Sequence, residues 1–117
     1  MVWLSFEKRK KVTSIVILLN MRMISWGAVR EFVMKHPDSG VSLKSWYRKL
    51  LRKSPEGFHD LQSVFPGVDF VGNNRYVFNI KGNKYRVVAI VLFGPQKVFI
   101  RFIGTHAEYE RINCKEI

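Results

Sequence analysis

Several basic side chains and a histidine in the last third of the chain have types and spacings that suit chemistry on a phosphate. Lys84 and Arg86 lie on either side of the first residue of one apolar run. Arg101 lies in the next apolar run, and His106 follows the end of that run. Cleaving RNA without a metal needs a base for the proton of the attacking 2′-hydroxyl, an acid for the leaving oxygen and cations for the phosphorane. These residues can supply such parts. An RNA-binding module that cleaves nothing would carry similar basic residues on an open sheet face.

The candidate residues divide by the role that their chemistry allows. His106 is the candidate for proton transfer, and the candidates for stabilising charge are Lys81, Lys84, Arg86 and Arg101. Asn79 and Tyr109 can position a sugar or stack a base. The pattern therefore predicts a cationic surface with a titratable group at its edge.

Three short apolar runs position these residues: Tyr76–Ile80, Tyr85–Phe93 and Val98–Ile103. Their alternating or nearly continuous apolar pattern predicts strands. In the first turn, Gly82 and Asn83 are expected to supply the positive φ angles of a two-residue hairpin loop. That loop predicts the cross-strand pairs Lys81–Lys84, Ile80–Tyr85, Asn79–Arg86 and Phe78–Val87.

This register separates the strands into an apolar face and a cationic face. The apolar face, predicted to be core, carries Tyr76, Phe78, Ile80, Tyr85, Val87, Ala89 and Val91; the cationic face carries Arg75, Asn79, Lys81, Lys84 and Arg86. A four-residue second loop, Phe93–Gln96, would put Arg101 on the cationic face and Val98, Ile100 and Phe102 in the core. A three-residue loop would turn an unpaired guanidinium inward at high cost, so the four-residue loop is predicted.

Two helices are predicted before these strands. Residues 23–25 are interpreted as the end of a strand. Ser25 is expected to be the N-cap of the first helix, which Pro37 ends. The second helix spans about residues 42–53, with Leu43, Trp46, Tyr47, Leu50 and Leu51 on one stripe. Its other face carries Lys44, Arg48, Lys49, Arg52 and Lys53. This basic face is either a solvated surface or a second contact surface for RNA or an acidic partner.

A short helical segment over residues 58–65 and a strand over residues 68–71 complete the chain before the hairpin. After the last strand, Thr105 and Glu108 have the spacing of a capping box, which predicts a short C-terminal helix. His106 would then lie at the positive end of that helix and near Arg101, and both effects favour the neutral imidazole that can accept a proton. His106 and Tyr109 also have a simpler interpretation as capping and packing residues.

The composition limits the function classes. A hydrophobic content of 47% suffices for one compact domain, and 20 Lys and Arg against 9 Asp and Glu give a formal charge of +11. This charge favours an anionic partner, either nucleic acid or a membrane surface, but no apolar run reaches the roughly 20 residues that span a bilayer. Cys114 is the only cysteine, which excludes an internal disulfide and favours a reducing compartment. No zinc-site spacing is present, so neither a metal nor a cofactor is expected.

Residues 1–20 differ from the rest of the chain and are interpreted as an N-terminal extension. Their basic cluster and short apolar run resemble part of a signal peptide, but no small-residue cleavage site follows. We expect an upstream start codon or a dispensable extension, with the functional start at Met21 or Met23. Residues 21–117 are then one domain.

The runs Val77–Val88 and Phe99–Tyr109, with Arg30–Phe32 and Ser45–Tyr47 in the helices, resemble the HigB toxin family over about residues 23–112. The resemblance implies the α+β fold of RelE and ParE toxins, in which two N-terminal helices pack on a small antiparallel sheet. It also implies an mRNA interferase of the bacterial cytoplasm that is typically ribosome-dependent. The implied partner is a helix-turn-helix antitoxin, and operator DNA would be bound only by the toxin-antitoxin complex. It places Asn79, Lys84, Arg86, Arg101, His106 and Tyr109 in the active-site region, and Lys81 less securely.

Two other classes remain open at this point. A ParE-like inhibitor would share the fold and act by binding a protein, and an RNA-binding module would bind without cleaving. A histidine beside a cationic strand favours the nuclease, because binding alone needs no group that titrates near pH 7.

Overall fold

Five strands and four helices make up the part of the chain that the computed structural model describes, residues 21–117. The strands are β1 (Arg22–Ile24), β2 (Asp69–Gly72), β3 (Arg75–Ile80), β4 (Tyr85–Leu92) and β5 (Lys97–Thr105). The helices are α1 (Trp26–Lys35), α2 (Gly40–Lys53), α3 (Phe58–Val64) and α4 (His106–Tyr109), with a 3₁₀ turn at Pro37–Ser39. None of these helices is long and apolar enough to cross a bilayer. The predicted α+β class is confirmed, and the predicted extension, residues 1–20, lies outside the described residues.

The strands form one mixed sheet in the order β1-β5-β4-β3-β2. The pairs from β2 to β5 are antiparallel, but β1 runs parallel to β5, with Arg22 opposite Lys97 and Ile24 opposite Phe99. The prediction of a purely antiparallel sheet is therefore wrong. Local patterns could not reveal this pairing because the partner strands are separated by most of the domain.

The predicted hairpin register is confirmed. Tyr85 pairs with Ile80 and Arg86 with Asn79, and the pair Leu92–Lys97 fixes the second loop at four residues. The turn conformation differs from the prediction, because Lys81 and Gly82 have the positive φ angles, 53° and 66°. Asn83 was expected to have one and does not.

A β-bulge at Arg101 changes the faces of β5. Ala89 pairs with Ile100 and Val88 with Phe102, so Arg101 is an extra residue without a direct partner on β4. Beyond the bulge, Ile103 packs against the core instead of Phe102. The prediction of Phe102 as a core residue is wrong because it assumed an unbroken alternation along the strand.

Helices α1 and α2 cover one face of the sheet. Phe32 of α1 meets the Tyr85 ring edge-on at 5.3 Å, and Trp46 of α2 meets Phe78 in the same manner at 5.3 Å. Ser25 precedes α1 as predicted, but its φ is 76° and its side chain makes no cap hydrogen bond. The opposite face of the sheet, which we call the open face, carries Arg86.

Asp38, in the connection between α1 and α2, binds the turn between β3 and β4. Its Oδ2 atom lies 2.6 Å from Lys84 Nζ and 3.2 Å from Lys81 Nζ, and its Oδ1 accepts a hydrogen bond of 2.7 Å from the Tyr85 hydroxyl. The two lysine side chains therefore reach the helix side of the sheet, and their predicted place on one cationic face with Arg86 is wrong.

Asp38→Asn should lower the stability of the fold at pH 7. The hydrogen bond from Lys84, followed by that from Tyr85, holds the pKa of Asp38 well below its ordinary value of 3.8. A carboxyl with a depressed folded-state pKa stabilises the fold above its unfolded pKa and loses that effect as the pH falls through the folded value. Urea unfolding should thus show the variant less stable at pH 7 and a shrinking difference below about pH 4. An equal difference at pH 7 and pH 2 would contradict this role.

Candidate active site

Arg86 and His106 form the centre of the candidate site. Arg86 lies on β4 and is only 9% exposed, whereas the His106 side chain at the start of α4 is 50% exposed. Arg86 Nη2 lies 2.8 Å from His106 Nδ1. A guanidinium can only donate, so Nδ1 must accept, and the imidazole in this contact carries its proton on Nε2. The pair thus joins a fixed positive charge to a neutral histidine.

A capping box fixes the position of His106. Thr105 Oγ1 accepts a hydrogen bond from the Glu108 backbone N–H, and Glu108 Oε1 accepts one from the Thr105 N–H at 2.8 Å, as predicted. The His106 N–H also donates to the carbonyl of Lys84 at 3.2 Å. The first residue of α4 is therefore tied to the end of β5 and to the turn before β4.

Glu110 is a site residue that sequence reasoning missed. Its Oε2 lies 2.8 Å from His106 Nε2, and Nε2 donates in the tautomer that Arg86 imposes. Both nitrogens of the imidazole therefore have partners. The separation of four residues on a helical segment is the signal that could have identified this pair.

The Arg86 guanidinium is held in place from several sides. Nη1 donates to the carbonyls of Asn83 at 3.0 Å and Tyr85 at 3.3 Å, and the Tyr109 ring lies 5.9 Å from Cζ. Contacts of this kind hold a donor in place before substrate binds. Arg86 is consequently more buried than was expected for a residue on an open cationic face.

Tyr109 packs beside Arg86 as a neutral group. Burial, together with a 3.6 Å contact from its hydroxyl to Cys114 Sγ, raises the pKa of Tyr109 to about 12. Tyr109 is therefore protonated at pH 7 and can donate a hydrogen bond or pack against a base.

An open cavity of about 450 Å³ lies next to Arg86 on the open face of the sheet. Its lining residues come from β2, β3, β4, α4 and the loop before β2: Pro66, Gly67, Val68, Asp69, Val77, Asn79, Arg86 and Tyr109. An added Cβ at Gly67 would lie 3.1 Å from Asn79 Nδ2, so the loop approaches Asn79 closely. The structure thus brings Asn79, Arg86, His106 and Tyr109 together, and it adds a loop that sequence reasoning had not assigned to the site.

Other predicted site residues lie elsewhere. Lys81 and Lys84 bind Asp38, and Arg101 lines a cleft between α1 and β5 instead of the cavity beside Arg86. The basic residues of α2, which are Lys44, Arg48 and Arg52, are exposed on a separate surface. Within residues 21–117, no group of three or more histidine, cysteine or acidic side chains has the arrangement of a metal site.

Comparisons with known proteins give a matching family model and several named relatives. Residues 39–112 match the family model HigB_toxin, described as the RelE-like toxic component of a toxin-antitoxin system. The chain is similar to the mRNA interferase toxin HigB of Escherichia coli K12, with 38% identity over 95 residues, which cover 77% of this chain and 88% of the relative. It is also similar to an mRNA interferase HigB of Escherichia coli O6:H1, with 31% identity over 94 residues, 79% of this chain and 91% of the relative.

Proposed function

This chain belongs to the HigB family of RelE-like toxins, and we propose that it is an endoribonuclease toxin that cleaves mRNA in the bacterial cytoplasm. The observation that carries the proposal is the contact of 2.8 Å between Arg86 and His106 beside an open cavity. Its relatives bear the name mRNA interferase, and this pair offers a base and a cation, two of the parts that metal-independent cleavage of RNA needs.

The proposed reaction begins with attack of a 2′-hydroxyl on the adjacent phosphate. When a phosphate oxygen takes the Arg86 hydrogen bond, the lone pair on His106 Nδ1 is released and can accept the proton of that hydroxyl. Arg86 then stabilises the charge of the phosphorane. The bond to the 5′-oxygen breaks and this oxygen takes up a proton from water, which leaves a 2′,3′-cyclic phosphate on one fragment and a 5′-hydroxyl on the other.

The other residues support substrate binding in this proposal. Asn79 and the neutral side chain of Tyr109 line the cavity and can position the sugar or the base. Lys84 and Lys81 contribute directly only if a phosphate displaces Asp38 from them. Arg101, in the cleft between α1 and β5, is proposed to contact a more distant phosphate of the message.

We propose that the ribosome presents the mRNA to this site. Lys44, Arg48 and Arg52 lie at successive turns of α2 and are exposed, so one helical face can bind the phosphates of ribosomal RNA. A substrate that the ribosome already holds explains how a small domain can cleave with few side chains, because positioning supplies part of the rate.

The family description implies an antitoxin as a partner. We propose a helix-turn-helix protein encoded next to this chain, with operator DNA bound only through their complex. The formal charge of +11 favours the binding of an acidic region of such a protein, which would neutralise part of this charge.

Expression of this chain in bacteria should stop growth and cut messages, and co-expression of the neighbouring gene product should restore growth. The cut messages should end in 2′,3′-cyclic phosphates. His106→Gln is the matched control, because it should express as a folded protein that makes far fewer cuts. Growth arrest by the parent without any cut message would favour a toxin that acts by binding alone.

A further inference from the structure

A carboxylate shares the cavity with Arg86. Asp69 is the first residue of β2, and the next residue, Phe70, packs on Tyr76 at 4.9 Å on the helix side of the sheet. Neighbouring side chains on a strand point to opposite faces, so Asp69 points to the open face with Asn79. Asp69 accordingly lines the cavity.

An acidic side chain at this place is unfavourable for a phosphate. The negative charge of Asp69 is felt at Tyr109, whose pKa is raised chiefly by burial and to a smaller extent by this carboxylate. Repulsion by the Asp69 carboxylate would keep phosphates on the side of Arg86 in this open cavity. A ligand for this part of the cavity should therefore be uncharged and should present hydrogen-bond donors.

A nucleobase has both properties. Single-stranded RNA is read by hydrogen bonds to the Watson–Crick edges of unstacked bases and by contacts with aromatic rings. A volume of about 450 Å³ is within the range of small-ligand sites, and Tyr109 forms one wall. We propose that the cavity is a subsite for one guanine that flanks the cleaved phosphate and that Asp69 recognises this base. The inference rests on the proposed function and adds the base preference of the same site.

Guanine is the base that suits a carboxylate best. Its N1–H and N2–H groups are adjacent donors, and one ionised carboxylate can accept from both. Adenine and cytosine offer one amino group beside an acceptor, and the single imino donor of uracil lies between two carbonyl oxygens. The carboxylate would therefore favour guanine and disfavour uracil most strongly.

The test compares cleavage of a randomised message in a cell-free translation system, with the cut ends identified by sequencing. The parent should show a guanine excess of about tenfold over uracil at one position flanking the cut, the scale of one bidentate base contact. Asp69→Asn should remove that excess and raise cleavage at adenine, because an amide pairs with the amino group and N1 of adenine. Asp69→Ala should remove the excess without a gain at adenine.

Glu56→Gln is the matched control, since Glu56 is an exposed acid that does not line the cavity. It removes the same charge and should leave the base preference unchanged. A parent that cuts without a guanine preference, or an Asp69→Asn protein that keeps the preference or slows every cut equally, would overturn the inference alone. A parent that cuts no message would instead overturn the proposed function.

Discussion

Arg86→Ala should lower the single-turnover rate of mRNA cleavage by about 10²-fold or more, the scale observed when one preorganised donor is removed from an active site. Arg86 is the guanidinium that lies in hydrogen-bond contact with His106 and lines the cavity. Without it, the phosphorane loses its nearest fixed positive charge. The pH dependence that remains should keep its shape, because His106 is still present.

Arg86→Lys is the control that separates charge from geometry. A lysine restores the positive charge but not the planar fork that contacts His106, Asn83 and Tyr85 at once. We expect a rate between those of the parent and Arg86→Ala. Because Arg86 is buried, thermal unfolding and antitoxin binding should be measured for both variants. A folded Arg86→Ala protein with the parent rate would contradict the proposed role.

His106→Gln should lower the rate and flatten the pH profile between about pH 5 and 8, because an amide cannot exchange a proton near neutrality. The glutamine side chain can keep both contacts of the imidazole: its oxygen can accept from Arg86 and its nitrogen can donate to Glu110. The fold and the position of Arg86 should therefore be retained. The measurement is the single-turnover rate against pH.

Glu110→Gln is the matched control for this effect. It keeps an oxygen that accepts from His106 Nε2 and removes only the carboxylate charge. This protein should retain a pH-dependent rate. A His106→Gln protein with the pH profile of the parent would show that another group transfers the proton.

The sequence predicted the parts of the site that depend on short-range geometry. The hairpin between β3 and β4 has a short loop, so its length set the register that brings Asn79 opposite Arg86. The spacing of Thr105 and Glu108 likewise located the start of α4 and thus His106. The hairpin register and the capping box each depend on only a few residues that are close together in the sequence.

Features that depend on distant residues could not be predicted from local patterns. Asp38 binds two lysines more than forty positions away, and the parallel pair of β1 and β5 also spans most of the domain. The bulge at Arg101 needs no special residue type, so nothing in the alternation indicated that Arg101 would leave the site. Asp69 reaches the cavity only because β2 adds to the sheet beside β3.

The central claim is that Arg86 stabilises charge and His106 transfers a proton during cleavage of mRNA. The most direct test is single-turnover cleavage of ribosome-bound mRNA from about pH 5 to 8 for the parent, Arg86→Ala and His106→Gln. The parent should be fast and pH-dependent, Arg86→Ala slow with the same shape of profile, and His106→Gln slow and flat. An unchanged rate for His106→Gln at every pH would contradict the claim and leave Tyr109, which lines the cavity, as the next candidate for proton transfer.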